Sequence, residues 1–540
     1  DFNAEIDLQD IEKVVKMEGF DLKGLLKFNL NSNGVYDQAR HSFPEIKASL
    51  NLLDASIKTP YYPNPISKIK VDVETSNPSG RAEDIVVQIN PIAFEFEGKP
   101  FVITARLANF NNLQYQVLAT GLLDLGKLNQ VFGDSNTQVQ GSLEANFKLK
   151  GSQSDAMNGQ YQKLHNSGSL IFKNISLSTE IYPLPFIIHD GVFSFDQDKV
   201  KFSKFKATYG ESDFQLTGNL NGITSYILEN KPLQGHFNLT SKKIDVDSFM
   251  AFASTDTLKA KESSPNGVVI LPKNIDIRFE ATANQIFYNG IEIKGFKGTT
   301  VLKNQVLLLE QTAFNLVDCE VNMDATYGSI DPTRAYFQYH IKAKEFDIQK
   351  AYQQIKLFRD MASSAKRVKG IVSLDYEIKG NLDQNMMPIY PSLEGGGTLT
   401  LDKVKVAGLG LFTQLSRSTE RPDLKDPDLK KVEIKSSIKN NLINIEPVKM
   451  RIAGFRPRFS GTSSFNGAIK LKFRLGLPPL GIFGINMRVL GTMENPKILY
   501  GKGGEEEELA ETEYKDTLPE DLLKRIKDAK EENGAASDPE

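Results

Sequence analysis

The 540-residue chain carries 65 basic and 68 acidic side chains, a net charge of −3, with 40% hydrophobic and 25% charged residues. That balance excludes a disordered chain and falls far short of the basic signature of a nucleic-acid binder. The last 36 residues, 505–540, hold 14 acidic and 5 basic side chains, so the −3 divides into −9 there and +6 over 1–504. A weakly basic body of this kind tolerates anionic lipid headgroups.

The chain opens at DFNAEIDLQDIEKV, inside what reads as a repeat unit, and we expect that N-terminal sequence has been removed. Asp7 in this stretch is the first of four similar aspartates, followed by Asp124, Asp245 and Asp347 at spacings of 117, 121 and 102 residues. Each ends a strand-like run and precedes apolar residues at helical spacing, such as Leu125, Leu128 and Phe132. An aspartate at such a junction is a natural N-cap, its carboxylate accepting the unpaired amides of the first turn. Four short Asp-capped helices are therefore predicted, each at a strand end.

A strand led by glycine follows each helix, at Gly24, Gly141, Gly267 and Gly370. The second and fourth copies align closely. VQGSLEANFKLKG from Val139 matches VKGIVSLDYEIKG from Val368, and the offset of 229 holds through Tyr161/Tyr390, Leu164/Leu393, Gly168/Gly397 and Leu170/Leu399. Inside the copies apolar residues alternate: Leu143, Ala145, Phe147 and Leu149 against Val372, Leu374, Tyr376 and Ile378. Period 2 with β-branched and aromatic residues predicts strands with one greasy and one wet face. Further strands (IKASLNLL, GSLIFKNISLS, GGTLTLDKVKV) come next, two of them ending in Tyr-Pro-x-Pro turns at 62–65 and 182–185. Each unit then closes on a strand pair. The run from Val87 matches that from Val200 at an offset of 113, Ile443 onward matches at 243, and a weaker copy starts at Leu307.

The repeat predicts a mainly β fold: an elongated, strongly curved, mostly antiparallel single-layer sheet, a trough with short helices between units. The units are 1–120, 121–240, 241–342 and 343–502, the last including the C-terminal strands. Residues 503–540 form an acidic tail with a short helix. Two apolar walls of such a trough either meet as an ordinary core or leave a ligand-filled groove.

Two late stretches stand apart. FRLGLPPLGIFGINMRVLG, Phe473 to Gly491, joins two alternating strands through a greasy connection where polar residues are normal. Leu477, Leu480, Ile482 and Phe483 are expected to contact a membrane or partner, or to pack on the array's own end. In the tail, Thr517-Leu518-Pro519-Glu520 reads as a capping box, and the helix after it offers only Leu522, Leu523, Ile526 and Ala529 on its apolar side. It is expected to be solvated or loosely attached.

No catalytic or metal residues are assigned. The five histidines are scattered singly, Cys319 is the only cysteine, and no HExxH, Walker-type, GxSxG or GxGxxG motif occurs. An enzyme is not expected, nor is a cofactor. No apolar run reaches the roughly 18 residues of a spanning helix.

The glycine-led strands, the Asp-capped helix starts and the closing VLGTMENPKILYG, Val489 to Gly501, resemble the AsmA-like family of Gram-negative bacteria. More distantly they resemble the bridge-like lipid-transfer proteins. The resemblance covers most of 1–502. It implies a long β-groove through which phospholipid acyl chains pass between the inner and outer membranes. It also implies a periplasmic location, with an inner-membrane anchor supplied by an N-terminal helix that this chain lacks. Period 2 then nominates Phe28, Leu143, Phe147, Phe202, Phe214, Leu374, Tyr376 and Leu399 to line the groove, with Lys148, Lys201, Asp375 and Glu377 outside. The other reading is a scaffold for outer-membrane biogenesis without lipid flow.

Overall fold

A computed structural model describes residues 1–14, 18–36, 43–132, 138–178, 184–250, 267–355, 358–359, 363–408, 410–493, 495–501, 509–514 and 518–535. The chain is mainly β: twenty-six strands belong to one sheet. The described ladders are antiparallel and join neighbours in sequence, from Phe2–Asp7 on Asp21–Asn33 to Gly484–Thr492 on Pro496–Tyr500. Two compact units divide the chain, Asp1–Thr240 with Asn274–Ile277, and Ser241–Lys273 with Arg278–Glu540.

In the first unit, alternation becomes faces. Residues opposite one another in an antiparallel ladder share a side of the sheet. The register runs Phe28, Leu50, Val73, Ile89, Ala105, Val117, Leu149 across seven consecutive strands. The next residues along those strands run Asn29, Ser49, Glu74, Gln88, Arg106, Gln116, Lys150. One face is thus aliphatic and aromatic, the other charged and amide-bearing. Of the seven apolar positions only Ala105 is buried; the other six stay half-exposed.

The four aspartates cap as expected. Their Oδ1 atoms accept the backbone N–H of Gln9 at 3.0 Å, Lys127 at 3.1 Å, Asp247 at 3.2 Å, and Gln349 and Lys350 at 2.8 and 3.1 Å. The helices they start are short: Leu8–Val14, Leu125–Phe132, Asp247–Met250 and Ile348–Gln354. In the first unit Leu8, Leu128 and Val131 pack with Ala55, Ile66, Ile69 and Phe96, covering part of the apolar face.

The first Tyr-Pro-x-Pro turn is tied to this helix layer through Glu97. Asn64 Nδ2, Tyr62 Oη and Lys127 Nζ converge on its carboxylate at 2.7, 2.9 and 3.2 Å. These donors hold its pKa down to about 2, from an ordinary 4.5. A group depressed on folding stabilises the fold above its unfolded value and loses that contribution as pH falls through the folded one. Acid titration of the first unit should therefore show a loss between about 4.5 and 2 that Glu97→Gln removes. The second such turn, 182–185, falls partly outside the described residues.

The offset of 229 is realised atom against atom. Leu164 and Leu393 are each 1% exposed, and each lies under a glycine, Gly151 and Gly380, that is also related by 229. Phe147 faces Gly168 in its ladder and Tyr376 faces Gly397. The aromatic ring covers the space that the missing side chain leaves, which pins the register.

Two expectations need correction in the second unit. Gly267 does not lead a strand: 267–274 is irregular, and the strand starts at Ile275. Pro272 has no N–H to offer a ladder, and Val268, with no exposure, plugs the apolar cluster of Phe337, Ile378, Leu393, Ile438 and Phe465. The tail helix, Glu520–Ala535, is not free in solvent. Leu522, Ile526 and Ala529 are buried against Val301, Val306, Leu308 and Tyr336. Val306 pairs with Gly328 and Leu308 with Thr326, on the face opposite that of Leu307 and Leu309. The run Val306–Leu309 is apolar on both faces, so its outer side needs a cover. Burying Leu522 and Ile526 there stabilises the docked helix by roughly 1.5–3 kcal/mol each.

Candidate functional site

In the second unit the apolar face bends around a cavity of about 390 Å³, within the roughly 300–1,000 Å³ of ligand sites. Its walls come from seven consecutive strands, Arg334–Asp347 through Ala468–Gly476. Leu374 and Leu399 face each other across one ladder and Leu399 faces Ile434 across the next. Phe459 and Phe473 pair on the far side. Ile348, on the Asp347-capped helix, and Phe412, on Gly410–Thr419, also line it. Ser463 is the one polar side chain among the lining residues, and none is titratable. A space so lined repels water and suits hydrocarbon.

Farther along the same strands the face is filled. Tyr376 packs against the Phe337–Ile378–Phe465 cluster, and its hydroxyl lies 2.5 Å from Ser436 Oγ. So Leu374 and Leu399 face open space, while Tyr376, on the same side, joins a closed core.

The first-unit candidates share its apolar face. Phe147 faces Gly168, which in turn faces Phe195, the two rings lying 5.7 Å apart across the glycine, and Phe202 faces Phe193 and Gly218. Phe214 precedes Gly218 by two steps of period 2 and pairs with Ala207. Leu143 lies on Leu123 and Phe172, and the Phe28 ring lies tilted beside that of Phe2 with centroids 6.0 Å apart. Phe202 is also part of an aromatic ladder, with ring centroids 4.4 Å from Phe193 and 5.0 Å from Phe237. All five are half-exposed. Lys148, Lys201, Asp375 and Glu377 are exposed on the other face. There Asp375 accepts from His340 Nε2 at 2.7 Å and pairs with Lys342 at 3.2 Å, which together hold its carboxyl below the ordinary range.

The greasy connection forms a tight turn. Leu477 N–H donates to Phe483 O and Gly481 N–H to Leu477 O, both at 2.8 Å. The Arg474 guanidinium fastens the turn from below, donating to Gly481 O at 3.1 Å and Ile482 O at 2.7 Å. Leu477 is half-buried, whereas Leu480, Ile482 and Phe483 are 60%, 70% and 80% exposed. The tip does not pack on its own sheet.

Sequence reading did not name the far wall of the cavity, Ile434, Ile445, Phe459, Leu471 and Phe473. Their alternation is present in VEIKSSI, INIEPV and IKLKFRL, but alternation does not say which strands curl to meet. Among the described residues no three His, Cys, Asp or Glu side chains come together as a metal site, and no helix is long and apolar enough to cross a membrane. Comparisons with family models, with curated proteins and with solved structures each return no match.

Proposed function

We propose that this chain binds phospholipid by its acyl chains along the apolar face of the sheet and carries it between inner and outer membranes, as an AsmA-like protein of the Gram-negative periplasm. The cavity between Leu374, Leu399 and Phe473 supports the reading most directly: it is roomy, apolar and free of charge. Acyl chains need no fixed polar partner, only surface removed from water. The half-exposed apolar face of the first unit offers the same chemistry over seven strands. Mass spectrometry of lipid retained by the native protein, with transfer between donor and acceptor vesicles, tests it; protein that retains and transfers no phospholipid would refute it.

A scaffold without lipid flow draws on the filled stretches, the Tyr376 cluster and the Phe193–Phe202–Phe237 ladder. The two readings part on the exposed tip as well. Replacing Leu480, Ile482 and Phe483 by serine should leave the melting temperature within about 2 °C, because surface substitutions stay near ±0.5 kcal/mol. The same change should weaken vesicle binding at least about tenfold, since each side chain forfeits roughly 1.5–3 kcal/mol of burial in the bilayer. Unchanged vesicle flotation would assign the tip to a protein partner.

A further inference from the structure

The ladder between strands Asp428–Lys439 and Leu442–Lys449 is incomplete. It runs only from Ser436 opposite Ile445 to Lys439 opposite Leu442, so residues 428–435 have no partner across it. The later strand meanwhile keeps its other neighbour, with Val448 opposite Phe459 and Lys449 opposite Arg458. The two strands part, and a depression of about 370 Å³ lies in the opening. Lys430 and Lys431 line one side, and Lys449, Arg451, Arg456 and Arg458 the other. No carboxylate lines it, and among the described residues none of these six cations has an ion-pair partner. Like charges left facing one another in a recess repel, and the arrangement is relieved by an anion.

The recess also touches the apolar cavity. Met450, 8% exposed, lines both spaces. A ligand occupying the two together would be an amphiphile with an anionic end and a hydrocarbon end. We infer that the recess among Lys430, Lys449, Arg456 and Arg458 is a headgroup site for a phosphate-bearing anionic lipid whose acyl chain enters the cavity past Met450. This rests on the lipid-binding reading above and adds a selectivity to it: lipids of net negative charge are held in preference to zwitterionic ones.

The test loads the full chain from vesicles of equal phosphatidylglycerol and phosphatidylcholine and quantifies the retained lipid. The native protein should be enriched in phosphatidylglycerol. Lys430→Glu/Lys449→Glu/Arg458→Glu, all exposed positions, should cut that enrichment about tenfold while total loading persists. Leu374→Asp should instead lower both lipids alike. Enrichment that survives the triple reversal overturns the site, as does native protein that loads lipid without preference. Native protein that loads no lipid refutes the lipid-binding reading and this site with it. A second arm titrates inorganic phosphate: if phosphate saturates the recess and leaves the lipid preference unaltered, the recess holds a free anion and the headgroup assignment falls.

Discussion

Aspartate at Leu374 should empty the second-unit cavity of acyl chain and stop lipid transfer while the protein stays folded. The side chain lies on Val368–Leu382, opposite Ala343 on one side and Leu399 on the other, and lines the cavity. A carboxylate there meets no cation among the lining residues, whose one side-chain donor is the Ser463 hydroxyl. Stranding it against hydrocarbon costs several kcal/mol, so lipid loading should fall by about a hundredfold or more. The empty protein avoids most of that cost. Leu374 is only half-buried, so water can follow the carboxylate, and a stability loss of about 2 kcal/mol is expected. The introduced carboxyl should titrate high, because desolvation favours its neutral form; loading should then recover partly as pH is lowered through that raised pKa. The neighbouring Asp375 is the internal control. It sits on the opposite face with His340 and Lys342, and Asp375→Asn should leave lipid loading unchanged. Full loading by Leu374→Asp would mean that the cavity is ordinary core, and the scaffold reading would lead.

Much of this geometry was legible in the residues because it is local or repeated. A cap needs only an aspartate two or three residues before the amides it binds, so Asp7, Asp124, Asp245 and Asp347 could be read directly. A ladder face needs only period 2, so Phe28, Leu143 and Leu374 could be assigned to the apolar side. What escaped depends on non-local closure. Leu374 and Tyr376 are two residues apart and share a face, yet one borders open space and the other a core plugged by Val268 and Phe465. No pattern within the strand separates them, because the plug comes from residues about 100 positions away on either side. The tail helix escaped for a related reason. Its narrow stripe of Leu522, Ile526 and Ala529 reads as solvated until it is matched with Val306 and Leu308, apolar on a face that should be wet. The basic recess is invisible to periodicity altogether, since it exists only where two strands cease to pair.

Alanine at Gly168 should cost about 3 kcal/mol, and Gly397→Ala in the second unit a comparable amount. Both glycines face an aromatic residue across a ladder, Phe147 and Tyr376. Gly168 has φ +121°, where a side chain adds roughly 1–3 kcal/mol of strain. Its added Cβ would lie 2.3 Å from Asn146 O and 2.4 Å from Phe147 Cα. At Gly397 the corresponding approaches are 2.1 Å to Asp375 O and 2.7 Å to Tyr376 Cα. These are backbone atoms of the neighbouring strand, so relief requires the strands to separate and gives up ladder hydrogen bonds worth about 1 kcal/mol each. Gly159 isolates the first contribution: it has φ +68° but no atom within 4 Å of an added Cβ, so Gly159→Ala should cost only about 1 kcal/mol. Urea titration of the three variants gives the comparison. Gly397→Ala should also reduce lipid loading, because its ladder carries Leu374 and Leu399 two residues on, whereas Gly159→Ala should not. Equal losses for Gly168→Ala and Gly159→Ala would show that positive φ alone sets the cost and that the close approach of the strands contributes nothing.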